Sequence, residues 1–233
     1  MENQDLTPFL VGGASGLVGR ALVRRLLEDE GGAGVVAVVR RPLGIAEGRL
    51  VEVVTDFGRL EAVAVPRVRT AFCALGTTIA KAGSEAAFRA VDVEAVVAFA
   101  RLARRAGATR FLLVSALGAD SGSKVFYNRT KGEAEEKVKA VGFDGVALFR
   151  PSLLVGERAE SRPAERAAIV ASGLFSWAMV GLLSRWRPVP AEAVAAAMVA
   201  VANGPLTGVR IVENEEIHRL AEVRPQRRHE DDL

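Results

Sequence analysis

The sequence predicts an α/β protein of the Rossmann type. Its doubly wound parallel sheet carries helices on both faces and a small C-terminal extension on the substrate side. Three observations carry this. Short apolar runs alternate with amphipathic segments along most of the chain. One of these runs, Val35 to Val39, is apolar without interruption, as strands covered on both faces of a parallel sheet are. The first run, Phe9 to Val11, feeds directly into Gly12, Gly13, Gly16 and Gly19 and then into a helical pattern. Strand, glycine turn and helix in that order form the setting in which a glycine fingerprint signals a dinucleotide.

Taken in order, residues 1–7 are polar and predict a frayed start. In the turn that follows, Gly13 allows a tight bend, Gly16 lets backbone approach a pyrophosphate, and Gly19 lets the helix lie close to its strand. The helix N-terminus offers free N–H groups and a favourable dipole for the diphosphate. Val18, Leu22 and Leu26 recur at helical spacing, and Gly31, Gly32 and Gly34 close the helix. After Val35–Val39, a third strand is expected over Leu50–Val54, ending in Thr55 and Asp56, and a fourth over Val68–Leu75, running into Gly76. A long helix follows, with Phe88, Val91, Ala95, Phe99 and Leu102 on one stripe and Gly107 at its end. Phe111–Val114 reads as the fifth strand and ends at Ser115; a charged helix spans about 125–141; Val146–Phe149 is the sixth strand. Further on, Pro188 and Pro190 open an alanine-rich helix, Ala191–Ala202, and Gly208–Val212 gives one more strand. The chain is expected to be one domain, with a core over about 7–151, a substrate-side segment over about 152–205 and a charged tail, 224–233, expected to be disordered.

Composition narrows the partners. At 233 residues, half apolar and a quarter charged, the chain has an ordinary globular balance. A net charge of +3 with arginines and acids alternating reads as solvated helix faces rather than as a nucleic-acid footprint. Aromatics are too sparse for base-stacking platforms. Cys73 is the single cysteine; it excludes an intramolecular disulfide and reads as buried strand filler in a reducing compartment. No positively charged leader with an apolar core opens the sequence, which points to the cytoplasm.

The ligand of such a sheet lies beyond the carboxyl ends of its strands, where strand order reverses. Arg40 and Arg41 follow Val39 there, where an NAD-selective site usually carries an acid for the ribose 2′-hydroxyl. Two guanidiniums suit a 2′-phosphate, so NADP(H) is favoured, with NAD(H) as the alternative. Asp56 has two readings, acceptor for the adenine amino group or helix N-cap. The Ala74-Leu75-Gly76 corner lets backbone run alongside the cofactor. Tyr127 and Lys131 stand one helical turn apart on one face. An ammonium beside a phenol favours the phenolate, which lets the tyrosine exchange a proton with a carbonyl while hydride is transferred. Ser115 is the first candidate to polarise that carbonyl; alternatively it lies beside the nicotinamide amide and Ser121 or Ser123 takes the role. The site as read calls for no metal.

These residues carry a family resemblance. The stretches GGASGLVGR, FCALGTT, ATRFLLVSALGAD, FYNRTKGEAEEKV, FRPSLLVGERAESRP and VENEEIHRL cover nearly the whole chain. It resembles the atypical short-chain dehydrogenases/reductases, and within them the Tat-interacting, tumour-suppressor-type oxidoreductase-like proteins and their bacterial relatives. The resemblance implies a Rossmann core binding NADPH, with Gly13, Ala14, Ser15, Gly16, Leu17, Val18, Arg40, Ser115, Tyr127 and Lys131 matching family positions. It also implies that Pro151, Ser152 and Leu153 pass near the nicotinamide. Ala116 follows Ser115 without a second hydroxyl, so the choice among the serines stays open.

The short C-terminal segment argues for a small-molecule substrate or a shallow pocket. Ala167 to Leu183 is uncharged and reads as a buried helix or lid over an apolar pocket, with a contact between copies, such as a homodimer, or attachment to a membrane surface as alternatives. The expected activity is NADPH-dependent reduction of a small, rather apolar carbonyl compound. A non-catalytic NADPH-binding regulator and an NAD(P)-dependent epimerase or dehydratase are the competing readings.

Overall fold

The computed structural model describes residues 6–28, 32–156 and 185–222. Seven parallel strands form the main sheet: β1 (Phe9–Gly12), β2 (Val35–Val39), β3 (Leu50–Val54), β4 (Thr70–Cys73), β5 (Arg110–Val114), β6 (Gly145–Arg150) and, after two short strands given below, β9 (Gly208–Glu213). Their order is β3-β2-β1-β4-β5-β6-β9, so the direction of winding reverses between β1 and β4. The expected Rossmann-type sheet is therefore present.

Period-two alternation divides the core between the two faces. Val11, Ala37, Phe72, Leu112, Ala147 and Phe149 pack under α1 (Leu17–Leu27) and the later helix Ala191–Asn203. Leu10, Val36, Val38, Ala71, Cys73, Phe111, Leu113 and Leu148 face the other way, against Val96, Phe99, Ala100 and Ala103. Each fully buried leucine or phenylalanine contributes roughly 1.5–3 kcal/mol of transfer free energy. β3, at the sheet edge, is only partly covered.

Several elements differ from the sequence reading. The fourth strand is shorter than Val68–Leu75, and Ala74 to Thr77 leave the sheet. The long helix is compound, running through α3 (Glu85–Arg89), a π-helical segment (Ala90–Ala95) and α4 (Val96–Arg105), and a separate short helix, α2 (Ile79–Ala82), closes at Gly83 before it. Within the π segment Asp92 and Val93 are buried while Val91 is only half-buried. α5 (Phe126–Lys139) and α6 (Ala191–Asn203) lie where expected. Besides α2, the elements that went unread are a 3-10 helix at Phe57–Ala62, a two-strand parallel pair of β7 (Leu154–Val155) with β8 (Val189–Pro190), and α7 (Asn214–Glu222). No helix among the described residues is long and apolar enough to cross a membrane. The apolar stretch 167–183 and the tail 224–233 lie outside the described residues.

Candidate functional site at the carboxyl edge of the sheet

The glycine corner forms first. Gly13 has φ +79°, a left-handed backbone that glycine adopts without strain, and a Cβ there would overlap the carbonyl of Ala74. A Cβ on Gly19 would overlap the Gly13 carbonyl, so α1 packs against its strand only because both positions are bare. Ala74 N–H donates to the Gly12 carbonyl at 2.8 Å, which brings the Ala74-Leu75-Gly76 corner beside the first turn. Gly16 is the N-cap of α1; no side chain caps that end and its first turn holds no acid. Ser15 and Gly16 are exposed, and Gly16 has open space on the side away from Gly13. The free N–H groups, the dipole and the bare backbone fit a diphosphate.

At the end of β2, Arg40 and Arg41 are exposed and have no ion-pair partner among the described residues. Asp56 takes the N-cap alternative, its Oδ1 accepting from Gly58 N–H at 2.9 Å at the start of the 3-10 helix.

α5 supplies the other half. Tyr127, Lys131 and Glu135 follow one another on a single face, each one turn apart. Tyr127 is half-buried, its ring 5.6 Å from that of Phe88. Lys131 is buried, and its Nζ lies 2.6 Å from Asp92 Oδ1. The other Asp92 oxygen accepts from Thr77 N–H at 2.9 Å. A Cβ on Gly76 would stand 3.3 Å from Asp92 Oδ1 and 3.5 Å from Lys131 Nζ, so the cofactor corner rests on this pair. Burial pulls the lysine's proton affinity down, but Asp92 and then Tyr127 outweigh it, and the ammonium is held above its ordinary range. Cys73 is buried as expected; burial pushes its thiol up to about 12, which makes it inert strand filler.

Ser115 departs from the expectation that it aims its proton at a carbonyl. It is buried at the end of β5, and its hydroxyl donates to Glu135 Oε1 at 2.5 Å. Glu135 is in turn gripped by Arg150 through two hydrogen bonds, at 3.0 and 2.6 Å, and Arg150 also reaches Glu213 at 3.3 Å. A serine whose hydrogen is held by a carboxylate presents only lone pairs to a ligand. Ser123 accepts from Val125 N–H at 3.1 Å, and its hydroxyl donates to no group among the described residues; Ser121 is exposed on the same loop.

The third side is a clamp. Pro151 is buried, Ser152 half-buried and Leu153 exposed. Asn214, buried at the start of α7, accepts from Ser152 N–H at 2.8 Å and donates to the Arg187 carbonyl at 2.9 Å; Ser152 Oγ donates to the same carbonyl at 2.6 Å. The chain then passes Gly156, where a Cβ would stand 3.5 Å from the Leu17 side chain at the head of α1. Asp92, Glu135, Arg150 and Asn214 were not read from sequence. The same face arithmetic that joined Tyr127 to Lys131 reaches Glu135, so for that residue a signal existed. Concavities of about 410 and 750 Å³ open elsewhere, beside Arg69 and Arg110 and beside Arg101 and Arg104, and neither takes in these groups.

Comparison with known proteins fits this geometry. A family model described as NAD(P)H-binding matches residues 13–205. Protein HTATIP2 of Rattus norvegicus is 35% identical over 228 residues, 94% of this chain and 90% of that protein. The protein fmp52, mitochondrial, of Aspergillus fumigatus is 36% identical over 182 residues, 75% of this chain and 78% of the relative. Among solved structures, MoeE5 in complex with UDP-glucuronic acid and NAD superposes with a TM-score of 0.66 at 20% identity, over 89% of this chain and 76% of the other. A short-chain dehydrogenase/reductase superfamily protein from Agrobacterium tumefaciens with bound NAD gives 0.65 at 19% identity, over 87% and 76%.

Proposed function

The chain belongs to the NAD(P)H-binding family, as an atypical short-chain dehydrogenase/reductase of the HTATIP2 type, and we propose that it binds NADP(H) in preference to NAD(H) and reduces a small, rather apolar carbonyl compound. One observation supports the reading above the rest: the Gly76 corner, where a dinucleotide would lie, rests directly on Lys131, on the helix face that carries Tyr127. The bound coenzyme would supply the hydride.

The residues then divide the work. Gly13 to Val18 hold the diphosphate on bare backbone and a helix N-terminus, and Arg40 and Arg41 take the 2′-phosphate bidentately. Asp56 keeps its second carboxylate oxygen for the adenine amino group. Ser115, whose lone pairs alone face a ligand, accepts from the nicotinamide amide. Pro151 to Leu153, clamped by Asn214, bound the nicotinamide side. Tyr127 moves the proton, Lys131 tunes it and anchors the ribose, and Ser123 or Ser121 donates to the carbonyl oxygen. The protein would act in the cytoplasm on a small molecule. Titration of the full chain with NADPH and NADH, followed by a panel of aldehydes and quinones, tests this. Continuous NADPH consumption that falls by about a hundredfold or more in Tyr127→Phe, with nucleotide affinity kept, is expected. Tight nucleotide binding with no turnover, unchanged by that substitution, would favour a regulator instead.

A further inference from the structure

Asp92 has no place among the groups just assigned, yet it is fully buried and charged at the centre of them. We propose that Asp92 is the positioning residue of the acid–base pair, fixing Lys131 to the backbone corner along which the nucleotide lies. The inference rests on the nucleotide reading and adds to it the coupling between the two halves of the site.

Three observations meet at this carboxylate. It reaches Lys131 Nζ with one oxygen, at 2.6 Å, and the Thr77 N–H with the other, at 2.9 Å. Thr77 directly follows Gly76, so a single side chain joins α5 to the β4 corner. Asp92 sits within the π-helical segment Ala90–Ala95, where it is buried while its neighbour Val91 is only half-buried. The acid that this segment carries lies directly under the corner.

The electrostatics make the pairing necessary. The groups that face Lys131 are Asp92 from the π segment, Tyr127 from its own helix and Cys73 from β4. The Cys73 thiol stays protonated, so Asp92 is the carboxylate that compensates the buried ammonium. Removing one partner of a buried pair leaves the other charge uncompensated, and a buried lysine then sheds its proton. A neutral Lys131 pulls on neither the phenol nor a ribose hydroxyl.

Asp92→Asn, Lys131→Met and the double variant test this in the full-length protein. The first readout is thermal melting without nucleotide, from about pH 6 to about pH 10. In the wild type the lysine's folded-state value lies above its unfolded one, so the pair's stabilisation is complete below about pH 10.4 and is lost only as pH rises beyond it. In Asp92→Asn the folded-state value falls below the unfolded one, so stability rises with pH across the window, and this slope disappears in the double variant. The second readout is NADPH affinity. Asp92→Asn weakens it about tenfold at about pH 8, the loss of one charge-assisted hydrogen bond, with recovery toward pH 6. The double variant binds no worse than Lys131→Met alone. A melting slope in Asp92→Asn that matches the wild type overturns the inference. So does a changed slope with NADPH affinity held within about twofold at both pH values, which makes the pair structural only. Wild-type protein that binds neither NADPH nor NADH overturns the nucleotide reading, and with it the role of Asp92, whatever the melts show.

Discussion

Two pairs of cations line the carboxyl edge of the sheet, and they are treated oppositely. Lys131 is buried and Arg150 half-buried, each against a buried carboxylate at 2.6 Å. Arg40 and Arg41 are outside, exposed, with no acid beside them among the described residues. The difference separates two jobs. A buried cation needs its counter-charge within the chain, because desolvation exceeds what a distant charge returns, and such a pair fixes geometry. An exposed arginine pair costs nothing to leave open and can await an external dianion. On this reading the phosphate end of the site is built to receive charge and the chemical end is already neutralised.

Glu135→Ala is the strongest challenge to that contrast. It strips the two-point contact from Arg150 and the acceptor from Ser115 at once. We expect a loss of about 3 kcal/mol in urea denaturation, the low end for a broken buried pair because Glu213 still reaches Arg150. Pairing it with Arg150→Met should restore most of that loss. A cost under about 1 kcal/mol would put this network with surface ion pairs and dissolve the distinction.

Arg40→Asp probes the opposite side. Its stability should stay within about 0.5 kcal/mol of the wild type, since nothing in the fold leans on the side chain. NADPH should weaken by about tenfold to a hundredfold and NADH hardly at all, from one charge-assisted contact at the 2′-phosphate. Equal weakening of the two nucleotides removes the phosphate argument. A gentler version uses salt. Raising ionic strength from about 0.1 to about 1 M should weaken NADPH more than NADH, while the unfolding midpoint set by the buried pairs barely moves.

The same contrast explains what could be read from the sequence. Exposed and backbone-built features announce themselves locally: the glycines sit at fixed spacing, and Arg40-Arg41 ends an apolar run. The sheet was legible for that reason, through uninterrupted apolar strands such as Val35–Val39. The internal pairs were not. Asp92 stands next to Val91 beside an expected apolar stripe, and an acid there reads as solvated; only the fold sets it, buried, against Lys131. Arg150 looks like a strand terminus, and only the parallel pairing of β5 with β6 sets it over Glu135. Asn214 gives no signal at all, because its partners Ser152 and Arg187 are distant in sequence and meet only through the fold.

His218 falls between the two classes and gives the smallest effect. Its ring lies on α7 one turn beyond Asn214, against the same Arg187 carbonyl, and its Nε2 is buried without a hydrogen-bond partner among the described residues. Burial, followed by the Arg187 charge, pushes the imidazole below its ordinary range despite the hydrogen bond to that carbonyl. A second proton would have no acceptor and would sit beside a guanidinium. Because the folded-state value is depressed, the unfolded chain takes up the proton first as pH falls below about 6.5. Stability should therefore decline through that window and be flat above it. In His218→Gln, which cannot titrate, the decline should shrink in denaturation curves taken across the window. An unchanged slope would show that the imidazole carries none of the acid sensitivity, and His218 would then belong with the solvated surface.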